Sequence, residues 1–592
     1  MLTLTPTQAQ QSIDVFAFTR GPHTAETLVV GESWGEMEEA AKKPFVGSAG
    51  KELEALFMEC GIDIGSCLLT NVFNLRPPRN EMWRACLPFD KSDRSRNFRG
   101  LDLDARLHAE VQKLYKLIAQ VRPKRIIALG NYAFWALSSE ARIAFSDEKP
   151  ATRVPTGIGD FRGSMLFVNA TPELESLRIH LLPIVHPAAY MRNWEMRAMT
   201  VHDLRTRVPM SIRNDWVPKF RQIIHRPTYY EMYNFFRSRI ATMDSGKKLY
   251  IANDIETRKH LITCTSFSDD KNFAIVMPFI SQVTSEGMEP YWTLSQECDL
   301  LKLMSKMLTH PNAMVVGQNY IYDTWYYLRS LGLKPRLRHD TLLAQHLIWP
   351  GTPKDLGTLS SIYCQYHRYW KDDNKEWSGK SSIDDHLKYN GEDALRTIEI
   401  AQNQRDVIKQ VGKDHLWDLE MEKNDLALEM SVRGVRVDMA AREQARRELK
   451  AAADERIADL LMICPQEHIN YFLGKQKTTW VTSPTQQKFF FGEILGFKIP
   501  NSRKTGNPSL DKESMAKLAD KYPAYGRIFE LLLELRSIKV FLSTFIEAGV
   551  DPDGRIRTSF NPGGTETYRW SSQTNPFDSG CNFQNIPSGN EE

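Results

Sequence analysis

The stretch "YIANDIETRKH" (Tyr250–His260) places two carboxylates, Asp254 and Glu256, at the end of a predicted β-strand. Residues two apart in a strand leave the same face of a sheet, so both side chains point to one side. Neighbouring carboxylates repel each other. The pair is therefore either an exposed strand end or a site that divalent cations neutralise, and taken alone it favours the strand end.

Two later motifs supply further acids. "GQNYIYDTWYYL" sets Asn319 and Asp323 four apart at a predicted helix start, and "YNGEDALRT" sets Tyr389 and Asp393 on one helical face. Together with the first pair, these aspartates could hold two hard cations about 4 Å apart through oxygen ligands. One cation would then deprotonate a water, and the other would stabilise the leaving 3′ oxygen of a nucleic acid strand.

In this order the D-x-E, N-x-x-x-D and Y-x-x-x-D motifs resemble those of DnaQ-like 3′-to-5′ exonucleases, specifically the proofreading domain of family A DNA polymerases. The resemblance implies an RNase H-like fold and two Mg²⁺ or Mn²⁺ ions. It implies that the metal ligands are Asp254, Glu256, Asp323 and Asp393. It also implies that Tyr389 orients the attacking water, whereas Asp340 in "RHDTLLAQHL" is expected to be structural support.

The first two hundred residues alternate short β-branched or leucine-rich runs with helical stretches, which is typical of an α/β fold. The predicted strands are Thr27–Val30, Cys67–Val72, Arg125–Gly130 and Ile179–Val185. The polar stretch from Thr200 to Asn214 is interpreted as a linker. Three closely spaced runs follow it, and they predict an antiparallel meander from Lys248–Asn253, Leu261–Phe267 and Phe273–Met277.

Four residues near the predicted strand ends form a second candidate site, namely Glu32, Phe45, Asn71 and His186. Residues just past the carboxyl ends of strands in an open α/β sheet converge on one crevice. There a flipped pyrimidine could stack on Phe45, with Asn71 reading its edge, His186 stabilising the leaving base and Glu32 assisting water at the sugar carbon. Individually, Asn71 could equally be a turn former and His186 a loop-edge histidine.

With "RPPRN" and "HPAAY", these residues resemble the uracil-DNA glycosylase superfamily, most closely its family 4 branch, over roughly residues 25–195. The resemblance implies an α/β/α sandwich. Trp34 replaces the usual proline and would narrow the pocket or stack on DNA. Leu75 replaces a usual cluster cysteine and only Cys86 keeps a comparable place, so we expect no iron–sulfur cluster. Uracil excision and binding without cleavage both stay open.

From about Trp417 onward strand patterns give way to amphipathic helical segments. The segment Leu419–Asp438 resembles the start of a family A polymerase domain, where a long helix precedes a glycine turn and a short extended segment. In the helix ending near Phe545, Arg536 and Lys539 lie on one side, which suits the phosphates of a primer–template duplex. Each residue alone could be ordinary solvated charge.

"TYRWSSQTNPFDSGCNFQNIP" (Thr567–Pro587) is similar to the elements with which this polymerase family holds primer and template. The implied DNA contacts are Thr567, Arg569, Ser571, Ser572, Gln584 and Asn585. In that family the palm aspartates and the fingers lysine come later in sequence. We therefore expect a mainly helical thumb with an incomplete palm, and no polymerisation by this chain alone unless a separate chain supplies fingers and palm.

The expected organisation is an α/β multidomain protein that resembles polymerases of some large tailed bacteriophages. Its expected domains are a glycosylase-like domain at residues 1–205, an exonuclease domain at 215–410 and a truncated polymerase domain at 411–592. The primary hypothesis is the amino-terminal part of a replicative polymerase with exonuclease activity. The alternatives are a uracil-excising repair enzyme and a non-catalytic DNA-binding half of a split polymerase.

Composition sets the limits on these hypotheses. The 592 residues are 42% hydrophobic and can bury several cores, while 76 Lys and Arg against 73 Asp and Glu leave DNA binding to local patches. Eight cysteines without a C-x-x-C pair indicate reduced thiols. With no apolar run of membrane-spanning length, we expect a cytoplasmic protein, in an infected bacterial host if a phage encodes it.

Overall fold

The computed structural model describes residues 14–145, 152–217, 221–285, 287–372, 382–502 and 507–586. Pro587, which closes the sequence motif of the polymerase-like region, lies outside these residues. The chain divides into two compact units, Met1–Met421 and Glu422–Glu592. The first unit contains two α/β sheets, each with its own surrounding helices.

The amino-terminal part of the first unit is built on a five-stranded sheet. The described residues of this part contain nine strands, of which five form the sheet and four form two small hairpins. The strands are β1 (Thr27–Ser33), β2 (Leu68–Phe73), β3 (Asn97–Phe98), β4 (Leu101–Asp102), β5 (Arg125–Leu129), β6 (Arg142–Phe145), β7 (Arg153–Thr156), β8 (Leu166–Phe167) and β9 (His180–Ile184). Its helices are α1 (Glu36–Ala41), α2 (Ser48–Glu59), α3 (Ala105–Val121), α4 (Asn131–Leu137), α5 (Ile158–Phe161), α6 (Pro172–Glu175), α7 (Pro187–Tyr190) and α8 (Glu195–Ile212). The sheet order is β2-β1-β5-β9-β8, and only β8 is antiparallel to its neighbour.

Both faces of this sheet are covered. Leu28 and Val30 of β1 belong to one buried cluster with residues of α3 and α4, whereas Val29 belongs to another with residues of α2 and α8. A parallel sheet buried on both faces needs apolar residues in both directions, which explains the uninterrupted apolar runs of its strands. The four predicted strands and the α/β/α sandwich are thus confirmed.

The predicted linker from Thr200 to Asn214 is wrong. Most of it belongs to α8, and its polar residues Asp203 and Arg207 are buried. Asp203 pairs with Arg162 at 2.8 Å, and their side chains are only 1% and 4% exposed. Polarity indicated solvent in the sequence, but these charges are buried because they satisfy one another and the backbone of the neighbouring domain.

A six-stranded mixed sheet forms the second part of the first unit. Its region contains β10 (Gln222–Ile224), β11 (Leu249–Arg258), β12 (Leu261–Asp270), β13 (Phe273–Pro278), β14 (Ile280–Val283), β15 (Met288–Pro290), β16 (Ala313–Gly317) and β17 (Leu337–Asp340). Its helices are α9 (Tyr229–Asp244), α10 (Leu294–Leu308), α11 (Ile321–Leu331), α12 (Thr341–Ile348), α13 (Leu356–Tyr363) and α14 (Ile383–Gln410). The order is β10-β13-β12-β11-β16-β17, so the predicted meander of β11, β12 and β13 is confirmed.

Helix α14 packs across this sheet. Ala394, Ile398 and Ala401 of the helix contact Ala252 of β11 and Val316 of β16 in one buried cluster. The small side chains allow helix and sheet to approach closely. This packing brings the amino-terminal half of α14 over the end of β11.

The second unit is mainly helical, as expected. Its helices, with α15 beginning just before it, are α15 (Trp417–Arg433), α16 (Met439–Ile463), α17 (Gln466–Leu473), α18 (Pro484–Phe489), α19 (Lys512–Lys521) and α20 (Gly526–Phe541). Its strands are β18 (Val435–Arg436), β19 (Arg555–Ile556), β20 (Thr558–Asn561) and β21 (Ser571–Thr574). The expectation that strands end near Trp417 is therefore wrong. The sequence did not predict β18 to β21 because these short strands lack the alternation of apolar and polar residues that marks longer strands.

Helix α15, Gly434 and β18 reproduce the expected helix, glycine turn and extended segment. Gly434 has a φ of +61° and a Cβ there would lie 2.5 Å from the Ile556 carbonyl oxygen, so the turn requires glycine. Among the described residues, no helix combines the length and the apolar character that crossing a bilayer requires.

Replacing Asp203 by Asn should lower the free energy of unfolding by about 3 kcal/mol, because Arg162 would keep its buried charge without a paired carboxylate. Chemical denaturation of the full chain measures this. The control is Glu26→Gln in the exposed pair with Lys124, whose side chains are 57% and 65% exposed and where we expect no measurable change. Equal effects at both sites would contradict the interpretation of α8.

Candidate active sites

Three of the predicted carboxylates lie together. Asp254 and Glu256 project from β11, and Asp393 projects from α14, with one ligand oxygen from each lying within 4.8 Å of the others. A register shift in the β11–β12 pairing follows Glu256, at the position where the strand leaves the sheet's regular ladder. Asp393 is buried, and the two strand residues are partly exposed. The group therefore opens to solvent on the strand side.

The fourth predicted carboxylate, Asp323, lies against the backbone of β11 between Asp254 and Glu256. Its Oδ1 accepts a hydrogen bond of 3.0 Å from the Ile255 backbone N–H, and the residue is 4% exposed. Asp323 lies in the first turn of α11, four residues after Asn319, whose φ is +52°. Asp340 accepts hydrogen bonds from the Asn319 and Tyr320 N–H groups at 3.2 and 2.8 Å, and thereby has the supporting role expected of it.

The electrostatics of this group favour bound cations. Burial, followed by the charge of Asp393, raises the pKa of Asp254 to about 8. The pKa of Glu256 and that of Asp323 are also raised, by burial first and then by the charge of Asp254. Crowded oxygen donors that resist ionisation on their own fit Mg²⁺ or Mn²⁺, which neutralises them.

Sequence reasoning missed three residues that hold these carboxylates. Asn390 Nδ2 donates to Asp254 Oδ2 at 2.7 Å, and Trp370 Nε1 donates to Asp393 Oδ1 at 2.7 Å. Lys371 Nζ lies 2.5 Å from Asp393 Oδ2. Asn390 stands inside the quoted "YNGEDALRT", where an amide next to the motif tyrosine is a usable signal, whereas Trp370 and Lys371 belong to no recognised motif.

Tyr389 is one helical turn before Asp393 on α14. It is half-buried, and its hydroxyl oxygen accepts a hydrogen bond of 3.0 Å from Lys371 Nζ. Burial, and then the charge of Asp393, raise the pKa of Tyr389, so the hydroxyl keeps its proton. The hydroxyl therefore faces the same charged groups as Asp393, as the helical spacing predicts.

The second predicted site is a cavity of about 560 Å³ in the amino-terminal sheet. All four residues predicted for it line this cavity, namely Glu32, Phe45, Asn71 and His186. Gly31 is required behind them, because a Cβ there would lie 2.3 Å from Asn71 Oδ1 and 2.6 Å from the Phe45 ring. The carboxyl ends of β1, β2 and β9 thus converge on one crevice.

Burial shifts the pKa of Glu32 and the pKa of His186 in opposite directions. Burial raises the pKa of Glu32, whose Oε1 accepts a hydrogen bond of 3.1 Å from the Tyr132 N–H. Burial lowers the pKa of His186 to about 4. Its Nδ1 accepts a hydrogen bond of 3.2 Å from the Ala188 N–H, which leaves the ring proton on Nε2. His186 is therefore a neutral imidazole that can donate a hydrogen bond from Nε2.

Three further residues of this cavity were missed or left undecided by the sequence. Glu38 accepts hydrogen bonds from the backbone N–H groups of Val46 and Gly47 at 3.0 and 2.7 Å and so closes the loop over the crevice. Arg192 lines the cavity. Trp34 also lines it and is only 4% exposed, which agrees with the expectation that it narrows the pocket.

In the second unit, Arg536 and Asn585 line one cavity of about 510 Å³. The Arg536 guanidinium donates to Gln487 Oε1 at 2.6 Å and to the Leu510 carbonyl oxygen. Burial lowers the pKa of Arg536. Lys539 lies one turn further along α20 and is half-buried. Arg536 thus has a structural role within the unit, and contact of either residue with phosphates stays a prediction.

The other predicted DNA contacts surround the hairpin of β20 and β21. Thr567 and Arg569 are exposed in the loop between these strands, and Ser571 begins β21. Ser572 donates to Asn582 Oδ1 at 2.5 Å, and Gln584 donates to the Trp570 carbonyl oxygen at 2.8 Å. The hairpin therefore fixes the polar residues of this motif in one place, and their contact with DNA stays a prediction.

Comparison with known proteins agrees with the two sites of the first unit. The family model of the uracil DNA glycosylase superfamily matches residues 18–206, and that of the 3′-5′ exonucleases of DNA polymerase A type matches residues 236–409. A type-4 uracil-DNA glycosylase of Pyrobaculum aerophilum is 28% identical over 182 residues, which cover 30% of this chain and 74% of that protein.

Two polymerases are also similar. DNA polymerase DpoZ of Vibrio phage phiVC8 is 28% identical over 218 residues, which cover 34% of this chain but only 31% of that polymerase. The polymerase domain of Pol1 from M. smegmatis, solved with DNA primer-template and dNTP, aligns over 62% of this chain and 56% of that chain, with 20% identity and a TM-score of 0.41.

The chain therefore combines a domain of the uracil DNA glycosylase superfamily with a 3′–5′ exonuclease domain of the family A DNA polymerase type. Its class is that of enzymes that hydrolyse nucleic acid. The role is related to that of a DNA polymerase, and the exonuclease domain implies the use of divalent metal.

The raised pKa of Asp254 makes stability depend on pH. Between the ordinary value of 3.8 and about 8, the folded protein holds a proton that the unfolded chain has lost. Its free energy of unfolding therefore falls as the pH rises through this window. We expect Asp254→Asn, which lacks this carboxyl, to gain in melting temperature relative to wild type from about pH 5 to about pH 8 in a chelator.

Thermal unfolding followed by circular dichroism measures this difference. Asp299→Asn, on the exposed face of α10, is the control for an amide substitution in the same domain. A wild-type-to-variant difference that stays constant over the whole pH range would show that Asp254 has no raised pKa.

Proposed function

We propose that this chain removes nucleotides from the 3′ end of DNA, as the proofreading part of a replicative family A polymerase. The observation that supports the proposal most is the approach of Asp254, Glu256 and Asp393 to within 4.8 Å from two separate elements. Asp323 of α11 completes the proposed ligand set, and its carboxylate accepts a hydrogen bond from the Ile255 N–H of β11, between Asp254 and Glu256. The family match over residues 236–409 supports the same reaction.

The residues around the carboxylates orient them for this reaction. Asp254, Glu256, Asp323 and Asp393 would hold a pair of Mg²⁺ or Mn²⁺ ions, which when bound would supply an activated water and stabilise the leaving 3′ oxygen. Asn390 holds one oxygen of Asp254, and Trp370 holds one oxygen of Asp393, so the orientation of both carboxylates is fixed. The Tyr389 hydroxyl, protonated at neutral pH, orients the attacking water.

The test is shortening of a 5′-labelled single strand in Mg²⁺. Asp254→Ala should reduce the rate more than about a hundredfold, because even indirect partners of a metal ligand are worth roughly 10- to 100-fold. Asp299→Ala is the matched control, since its side chain is exposed on α10 and pairs with Lys302 at 3.9 Å. Full activity of Asp254→Ala would exclude this site.

A second activity, excision of uracil, is favoured by the cavity that Glu32, Phe45, Asn71 and His186 line together. The neutral His186 can donate its Nε2 proton to the oxygen of a departing base without carrying a charge of its own. Half-buried Glu32, held by the Tyr132 N–H, lines the same cavity and can assist water. The domain could equally bind uracil or single-stranded template without cleavage.

Alkali-labile sites in a uracil-containing single strand distinguish these two possibilities. The assay requires Asp254→Ala as background, so that strand degradation does not consume the substrate. In that background His186→Ala should lower the yield of abasic sites by about a hundredfold or more. His23→Ala, at an exposed position of the same domain, is the control. Equal yields from all three proteins would exclude the proposed role of His186 in excision.

For the second unit we infer a thumb and the start of a palm that bind a primer–template duplex. The domain limits that we propose are residues 1–205, 215–410 and 411–592. Since DpoZ is a phage protein, we place the activity in the cytoplasm of an infected bacterium.

A further inference from the structure

One short segment, Cys364–Asp372, contacts both domains of the first unit, and we name it the bridging segment. It follows α13 and precedes α14. On one side its backbone is bound by the glycosylase-like domain. On the other side it carries the two residues, Trp370 and Lys371, that touch Asp393.

The contacts with the glycosylase-like domain are buried and specific. The Met165 N–H donates to the His367 carbonyl oxygen at 2.8 Å, and the Tyr369 N–H donates to Ser164 Oγ at 3.2 Å. The Tyr369 ring packs on that of Phe161, with centroids 4.8 Å apart. Residues 161–165 therefore fix the backbone immediately before Trp370.

Two arginines of the glycosylase-like domain extend this attachment. Arg207 donates to the carbonyl oxygens of Gln365 at 2.7 Å and Cys364 at 3.3 Å. Arg142 pairs with Asp372 at 3.2 Å. The bridging segment is thus anchored to the other domain at both of its ends.

The exonuclease side of the segment faces a metal ligand. Lys371 Nζ lies 2.5 Å from Asp393 Oδ2, and the Trp370 N–H occupies Asp393 Oδ1. The ammonium group therefore competes with a cation for the same oxygen.

We propose that Lys371 and Trp370 are positioning residues of the exonuclease site and that the glycosylase-like domain holds them there through the bridging segment. Lys371 weakens cation binding at Asp393, and Trp370 orients the carboxylate. Loss of the hydrogen bond between Ser164 and the Tyr369 N–H then changes the metal affinity at Asp393. This inference rests on the proposed metal site.

The test is Mn²⁺ binding to the full chain without DNA, measured by titration calorimetry. Lys371→Met keeps the aliphatic stem and should bind Mn²⁺ about tenfold more tightly, because a competing charge is removed. Trp370→Phe keeps the ring without the N–H and should bind about tenfold more weakly.

The coupling is tested at Ser164. Ser164→Ala removes the acceptor of the Tyr369 N–H and should tighten Mn²⁺ binding about threefold in the wild-type background but not in Lys371→Met. Phe161→Leu should act in the same direction, and it replaces Ser164→Ala if circular dichroism shows that variant unfolded. Ser176→Ala, exposed in the same domain, is the matched control and should change nothing.

An equal factor for Ser164→Ala in both backgrounds, or no effect of Ser164→Ala and Phe161→Leu, would overturn the coupling while leaving the metal site intact. Absence of Mn²⁺ binding by the wild type, with Asp254→Ala as the non-binding reference, would instead refute the metal site and the coupling with it. The two failures are therefore distinguishable.

Discussion

The repulsion between carboxylates crowded at the end of β11 is the constraint on which the exonuclease domain depends. Asp254, Glu256 and Asp393 approach within 4.8 Å, and a group of this kind is stable only when positive charge neutralises it or protons remain bound. The surrounding structure provides both conditions. Lys371 supplies a positive charge beside Asp393, and burial raises the pKa of Asp254 so that it holds its proton. Bound cations would take over the neutralising role of the Lys371 charge and of the proton on Asp254.

Burial has opposite consequences in the two candidate sites. In the exonuclease site it raises the pKa of acids, so that the carboxylates need cations in order to ionise. In the glycosylase-like cavity it lowers the pKa of His186 to about 4 and leaves a neutral donor. One physical effect, the cost of charge in a buried environment, thus raises the pKa of the acids in one site and lowers that of the histidine in the other.

The interface between the two α/β domains contains buried polar groups as well as ring contacts such as that of Tyr369 with Phe161. Arg162 and Asp203 form a buried pair, and Arg207 binds backbone carbonyl groups of the other domain. Separating these buried charged groups from their partners is costly, because each would be left without a partner while it is still shielded from water. The domains therefore form one compact unit, in which the bridging segment reaches the exonuclease carboxylates.

The sequence by itself determined β1, β2, β5 and β9 of the first sheet and the β11–β13 meander of the second, but not the edge strands β8, β10 and β17. The motif spacing placed Asp254, Glu256, Asp323, Tyr389 and Asp393 correctly on β11, α11 and α14, because local periodicity decides on which face a side chain lies. It failed where distant residues decide. The buried polar residues of α8 were interpreted as a linker, and Trp370 and Lys371 were missed. Only the tertiary structure could show these, since their roles come from partners far away in sequence: Asp203 is buried because Arg162 pairs with it, and Lys371 matters because it meets Asp393.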